Sequence, residues 1–190
     1  DLPLSVENRS KAERGYALLR GKGRKPVKAH PATLVPALSV GEAFKAVMQA
    51  GLTHLQANAH GLLAGGDLEY LHQMRVALRR LRSAFSVFEP VMPGAAAPML
   101  AEIKWLASSL GPARDWDVFL TETLPPIKKE FGSHGELKAF SERCGELRRN
   151  AGAKARRAVR SARYQRLMLS LAGWLESWSG PIELEPKQRA

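Results

Sequence analysis

The sequence predicts an all-α fold, a four-helix-bundle-like domain behind an extended basic N-terminal tail. Three observations predict it. Apolar residues recur at helical spacing in successive stretches after Ser39. No strand-like alternation of any length appears after that residue. Glycine and proline cluster between the stretches, where helices turn back on one another. The boundaries that follow are a tail over 1–38, a bundle with antiparallel neighbours over 39–180, and a short C-terminal tail over 181–190.

Residues 1 to about 36 are rich in Lys, Arg, Gly and Pro. Tyr16 to Leu19 has room for a short strand, which Gly21 and Gly23 break, and Pro26 and Pro31 keep a helix from starting. The segment reads as an extended solvated tail or as the remnant of a preceding domain. The bundle opens at Ser39, a helix cap with Glu42 three residues on, the spacing of a capping box. Ala43, Phe44, Val47, Met48, Leu52, Leu55 and Leu62 carry an apolar stripe as far as Gly61 or Ala64. His54 and His60 lie six apart, a spacing that does not put two metal ligands on one face.

The chain is organised around the next helix, Asp67 to Pro90. Asp67 caps its start and Pro90 stops it. Leu71, Met74, Leu78, Leu81, Phe85 and Phe88 form its apolar face. His72, Arg75, Arg79 and Arg82 repeat beside them, spread over roughly 80° of the circumference, and Arg80 adds a further cation. Like charges at such spacings repel by a few tenths of a kcal/mol per pair, and a polyvalent anion would offset that. The competing reading is a solvated basic face.

A third helix follows over MLAEIKWLASSL, with Leu100, Ile103, Leu106 and Leu110 inward and Lys104 projecting. Gly111 and Pro112 are expected to end it, and Asp115 to cap a new helix behind Arg114. Pro125 and Pro126 punctuate that segment. The last element is expected to be one long helix from about Glu136 to Trp178, on which Arg149, Arg156, Arg160 and Arg163 share a face. If its apolar stripe joins the same core as the central helix, the two arginine lines can face one groove or surface.

Composition narrows the function classes. Lys+Arg number 29 against 18 Asp+Glu, a formal net charge of +11, which points to polyanions. No apolar run reaches the roughly 18 residues of a membrane span. The start has no secretory h-region, and lacking an initiator Met the chain reads as a fragment. Cys144 is the single cysteine, which excludes an internal disulfide and a cysteine zinc site and fits a reducing cytosol. Phosphate-loop, dinucleotide, nucleophile-elbow and zinc-protease motifs are absent. Asp115 and Asp117 are explained by helix capping and a salt bridge to a nearby arginine, rather than by catalysis. Glu183 to Lys187 spells E-x-E-x-K, a triphosphate-tunnel pattern, but a proline interrupts it and it is read as chance.

With these residues in hand the chain resembles the CHAD family, the conserved histidine α-helical domains. LHQMRVALRRLRSAF is similar to the family's hallmark, with His72 as the histidine; LASSLGPARDWDVFL is similar to its second signature, and Arg156 to Tyr164 to its third. The match covers about Ser39 to Trp178. The resemblance implies two four-helix bundles related by pseudo-symmetry, binding of inorganic polyphosphate on a basic surface, no catalysis and no cofactor or metal. The residues it marks for the polymer are His72, Arg75, Arg79, Arg80, Arg82, Lys104, Arg114, Arg156, Arg160 and Arg163. Arginine forks suit phosphate oxygens, and lysine acts as a point charge. Only the first half of such a domain fits this length. Either the remainder lies outside the sequence, or a second copy completes a half-domain. NRSKAERGYALL resembles the close of a CYTH triphosphatase domain, which makes a CYTH domain a partner within a longer chain and regulation of a triphosphatase an alternative role. A nucleic-acid-binding helical domain is the other alternative. Its weakness is that Trp105, Trp116, Trp174 and Trp178 fall on apolar stripes instead of among the cations. The implied setting is the cytoplasm, with polyphosphate granules.

Overall fold

The computed structural model describes residues 10–19, 25–89, 97–132 and 134–177. The elements, in order, are α1 (Lys11–Leu19), α2 (Val40–Leu63), α3 (Leu68–Phe88), α4 (Ala97–Val118), a π turn (Phe119–Thr123), α5 (Leu124–Phe131), α6 (Gly135–Arg160) and α7 (Ala162–Ser177). The described residues are mostly helical and contain no strand.

The first departure from expectation is α1. Tyr16 to Leu19 is the end of a helix, not a strand. Its origin is a second capping box: the Ser10 hydroxyl accepts from the Glu13 N–H (3.1 Å) and the Ser10 N–H donates to Glu13 Oε2 (2.7 Å). The tail is also fastened to the bundle in its middle. Asn58 Oδ1 accepts from the Val27 N–H (3.0 Å), and Asn58 Nδ2 donates to the Val27 carbonyl (2.9 Å). One side-chain amide thus pairs with both polar groups of one residue's backbone, as a neighbouring strand would.

Helices α2 and α3 start where expected. Ser39 and Glu42 close a capping box, and Asp67 accepts from the Glu69 N–H at 2.9 Å. Between them Gly65 takes the left-handed conformation (φ 71°) that a tight turn requires. Gly61 lets the ring of Tyr70 lie against the α2 backbone, where a Cβ would stand 2.2 Å from it. Pro90, the expected stop of α3, lies outside the described residues.

The second departure is α4, which runs through Gly111 and Pro112 to Val118. Asp115 therefore sits inside a helix and caps nothing. An interior proline costs about 3 kcal/mol, but Pro112 faces solvent while Ile103, Leu106, Leu110 and Ala113 stay buried in one register across it. Burial of that stripe decides the outcome. The ladder widens where Pro125 and Pro126 remove two donors: the Leu124 N–H reaches back to the Phe119 carbonyl, a π bond, and α5 begins. The third departure is Ser161. It has extended geometry (ψ 151°), and its hydroxyl accepts from the Tyr164 N–H (3.2 Å), so one residue ends α6 and caps α7. The expected single helix is two; its expected end at Trp178 lies outside the described residues.

Around the core, α3 packs on α2 and α4, α4 packs on α6 and α7, and both α6 and α7 return to α2. The result is a four-sided bundle in which α3 lies diagonally across from α6 and α7. Phe44, Met48, Leu55, Met74, Leu78, Leu81, Ile103, Leu106 and Leu171 fill it. One end is closed by Phe44, Phe85, Phe88 and Trp174, with ring centroids 5.1–5.8 Å apart.

Candidate functional site

The row on α3 starts from the helix's own geometry. Burying Met74, Leu78, Leu81 and Phe85 fixes the rotation of α3, and the neighbouring row then falls on the flank toward α4. Arg75 shows this directly: its Nη1 lies 3.1 Å from where a Cβ on Gly111 of α4 would stand. The half-buried Arg75 thus rests on the α4 backbone at the one nearby position without a side chain. His72 is half-buried beside it, and Arg79 and Arg82 are exposed.

The same seam collects two cations from α4. At about 100° per residue, Lys104 and Gly111 stand within roughly 20° of each other, and Arg114 is roughly 60° from Gly111. Lys104 is exposed, while Arg114 is half-buried and 3.6 Å from Glu122. Among the described residues no acid forms an ion pair with His72, Arg75, Arg79, Arg82 or Lys104.

Arg80 stands apart. It is roughly 140° around α3 from Arg75 and faces α2, where burial lowers the His54 pKa and the Arg80 charge adds a smaller push in the same direction. The α6 and α7 arginines divide as well. The Ser161 break removes Arg163 from the line of Arg156 and Arg160, which corrects the expectation of one shared face. Arg163 forks onto Glu102 (Nε to Oε2 2.7 Å, Nη2 to Oε1 2.8 Å) and lies over the Trp105 ring at 4.2 Å. The hydrogen bond from Arg163 holds the Glu102 carboxyl below its usual range. Glu102 and Gly111 are roughly 180° apart on α4, so α4 stands between Arg163 and the α3 row. Arg160 donates to the Leu63 carbonyl at the C-terminus of α2 (3.3 Å), and Arg156 is half-buried on α6.

The acid pair resolves into one structural and one exposed group. Asp117 is 3% exposed and accepts from Arg148 Nε at 2.6 Å, while Asp115 faces solvent. The described residues contain no group of three His, Cys, Asp or Glu side chains that could hold a metal ion. None of their helices is long and apolar enough to cross a membrane.

No spacing rule announces the buried polar cluster beneath the tail. His54 Nε2 meets two oxygens, the Val27 carbonyl (3.0 Å) and Gln73 Oε1 (2.9 Å), and Gln73 in turn donates to Glu69 (2.6 Å). Both partners of Nε2 accept, so Nε2 carries the proton and the buried Nδ1 is left without a partner among the described residues. Burial lowers the His54 pKa, and the bonds to Gln73 and Val27 only partly oppose this.

A family model described as the CHAD domain matches residues 46–190, the greater part of the chain. The chain belongs to the CHAD family. A crystal structure of the CHAD domain from the plant Ricinus communis is similar to it with a TM-score of 0.71 and 38% sequence identity, over 80% of this chain and 51% of that one. The chain thus spans about half the length of that solved CHAD chain. A comparison with curated proteins returned no match. Of the stretches that carry the family likeness, LHQMRVALRRLRSAF lies wholly on α3 and LASSLGPARDWDVFL runs from α4 into the π turn, so the first two face each other across the seam that Arg75 bridges. The third straddles the break between α6 and α7.

Proposed function

We propose that this CHAD chain binds inorganic polyphosphate along the seam between α3 and α4, without catalysing a reaction. One observation carries the reading. Arg75 lying against Gly111 brings His72, Arg79 and Arg82 of α3 to the same seam as Lys104 and Arg114 of α4. A polyphosphate offers anionic oxygens at every unit of a flexible chain. Arginine forks grip such oxygens through charge-assisted hydrogen bonds, and Lys104 adds a point charge. His72 donates to a phosphate oxygen or fixes the register of the chain. Arg160 and Arg163, engaged with Leu63 and Glu102, serve the fold first; Arg80 and Arg156 extend the positive field from other flanks.

Nucleic acid is a non-specific competitor in this reading. Among the described tryptophans, Trp105 is covered by Arg163, Trp116 meets Phe119, and Trp174 packs on Phe44 and Phe85. None is free to stack on a base. A CYTH domain elsewhere in a longer chain is the natural partner for such a module, which would then hold polymer near that enzyme.

The test is calorimetric titration of defined-length polyphosphate into the chain. Arg79→Ala should weaken binding by about tenfold, the loss of roughly 1.4 kcal/mol of charged hydrogen bonding, with unchanged thermal stability. Affinity should fall steeply with salt, because counterion release drives binding to a polyanion. Unaltered affinity in Arg79→Ala, or preferential displacement of polyphosphate by DNA at matched phosphate concentration, removes the proposal.

A further inference from the structure

The outer part of the molecule, α5 and the first half of α6, has a different character from the rest. On α5 the apolar stripe begins with buried Leu124 and runs out through Ile127 and Phe131, which are 38% and 64% exposed. On α6 the stripe at Leu147, Cys144, Phe140 and Leu137 also reaches the surface, with Leu147 and Leu137 half-buried. Cys144 is buried, while Phe140 is 51% exposed although its ring meets Phe119 at 6.2 Å. Each stripe thus has one buried residue, Leu124 or Cys144, that lies outside the core cluster, and shows apolar surface on an arm. Helix α5 packs on the π turn and has no extensive contact with α6, so the emerging apolar surfaces do not close on each other.

Charge singles out the same arm. Between Leu124 and Leu147 the cations Lys128, Lys129, Lys138 and Arg143 are matched by the acids Glu130, Glu136, Glu142 and Glu146. The arm is neutral, and the remainder of the chain carries the whole excess of +11. A second copy is repelled everywhere else, but here it meets an apolar centre rimmed by both signs. In a two-fold arrangement each patch faces its own likeness, and a rim of zero net charge adds no net repulsion there.

We infer that the α5–α6 arm is a self-association surface, occupied by the same arm of a second copy of this chain. The inference stands apart from the polyphosphate reading, since the arm lies outside the α3–α4 seam. Sedimentation equilibrium of the chain without polyphosphate tests it. The result expected is a concentration-dependent rise from 20.9 kDa toward twice that mass, with a dissociation constant of about 1–10 µM. Added salt should strengthen the association by screening the repulsion between the basic remainders, opposite in sign to its effect on polyphosphate binding. Phe131→Glu should weaken it at least about tenfold. Phe140→Glu should do the same if its circular dichroism stays that of the parent. Leu169→Glu, at an apolar position 56% exposed on α7, should change nothing. A chain that keeps its single mass at ten times the stated constant overturns the inference, as it would were this face the seat of a further part of a longer chain. So does a Phe131→Glu variant that associates like the parent, or a Leu169→Glu variant that is equally impaired.

Discussion

Replacing Gly111 with alanine should lower polyphosphate affinity while leaving stability nearly level. A methyl there stands 3.1 Å from Arg75 Nη1, a few tenths of an ångström inside ordinary contact, with nothing else within 4 Å. Beyond its chain neighbours, the one group that the methyl meets is the far end of a flexible side chain. Alanine in a helix interior is favoured over glycine by about 1 kcal/mol, but a Cβ just before Pro112 disfavours the helical conformation, so the melting temperature should move by no more than about 2–4 °C. The guanidinium must leave its seat, and one forked contact to phosphate loses its alignment. At about 1.4 kcal/mol of the charged bond's worth, the dissociation constant rises about tenfold. Calorimetric titration with polyphosphate and a thermal melt read the two effects separately. The same substitution made on an Arg75→Ala background closes the cycle, and there the penalty on binding should vanish. Parental affinity in Gly111→Ala, or a loss that persists without Arg75, refutes the idea that Gly111 acts by seating Arg75.

Three further outcomes are expected. Gly61→Ala puts a methyl 2.2–2.3 Å from the Tyr70 ring; overpacking of this kind should cost about 1–3 kcal/mol, seen as a lower denaturation midpoint. Asp117→Ala deprives Arg148 of its buried partner and should cost about 1–2 kcal/mol, discounted because Arg148 is one-third exposed; a melt lower by about 2–8 °C would show it, with phosphate release under Mg²⁺ at background in both proteins. The pH response comes from His54. Its folded pKa is below the usual 6.5 because burial disfavours the charged form. Between the two pKa values the unfolded chain binds the proton and the folded chain does not, so stability is full above about pH 6.5 and declines as pH falls below it. His54→Gln should flatten that part of a stability–pH curve measured by urea titration, leaving the carboxylate limb near pH 4 in place.

Helix existence was legible where burial and capping agreed. Ser39 with Glu42 and Asp67 with Leu71 to Phe85 mark α2 and α3 without help from tertiary structure. The breaks were harder, since each is decided by what a residue faces. Pro112 looks like a terminator until its ring is found in solvent with Leu110 and Ala113 buried on either side. Ser161 looks like an ordinary helix residue until its hydroxyl is seen to cap the following turn. The same limit applied to the site. Spacing placed His72, Arg75, Arg79 and Arg82 in one row, but pattern alone could not show which cations already have work in the fold. Arg163 is held by Glu102, 61 residues away in sequence, and Arg160 by Leu63, 97 away; such separations leave no local trace. The α1 cap was readable, because Ser10-Lys11-Ala12-Glu13 is a capping box in a segment judged by its glycines and prolines instead.

The amide of Asn58 on Val27 also sets the reach of everything before it. Without that clasp, the segment ahead of α2 would be hinged at Ser39. With it, the hinge moves back by twelve residues, and about 40 Å of extended leash is withdrawn. Helix α1 and whatever is joined to it are thereby tethered nearer to the bundle, beside His54 on the wall of α2.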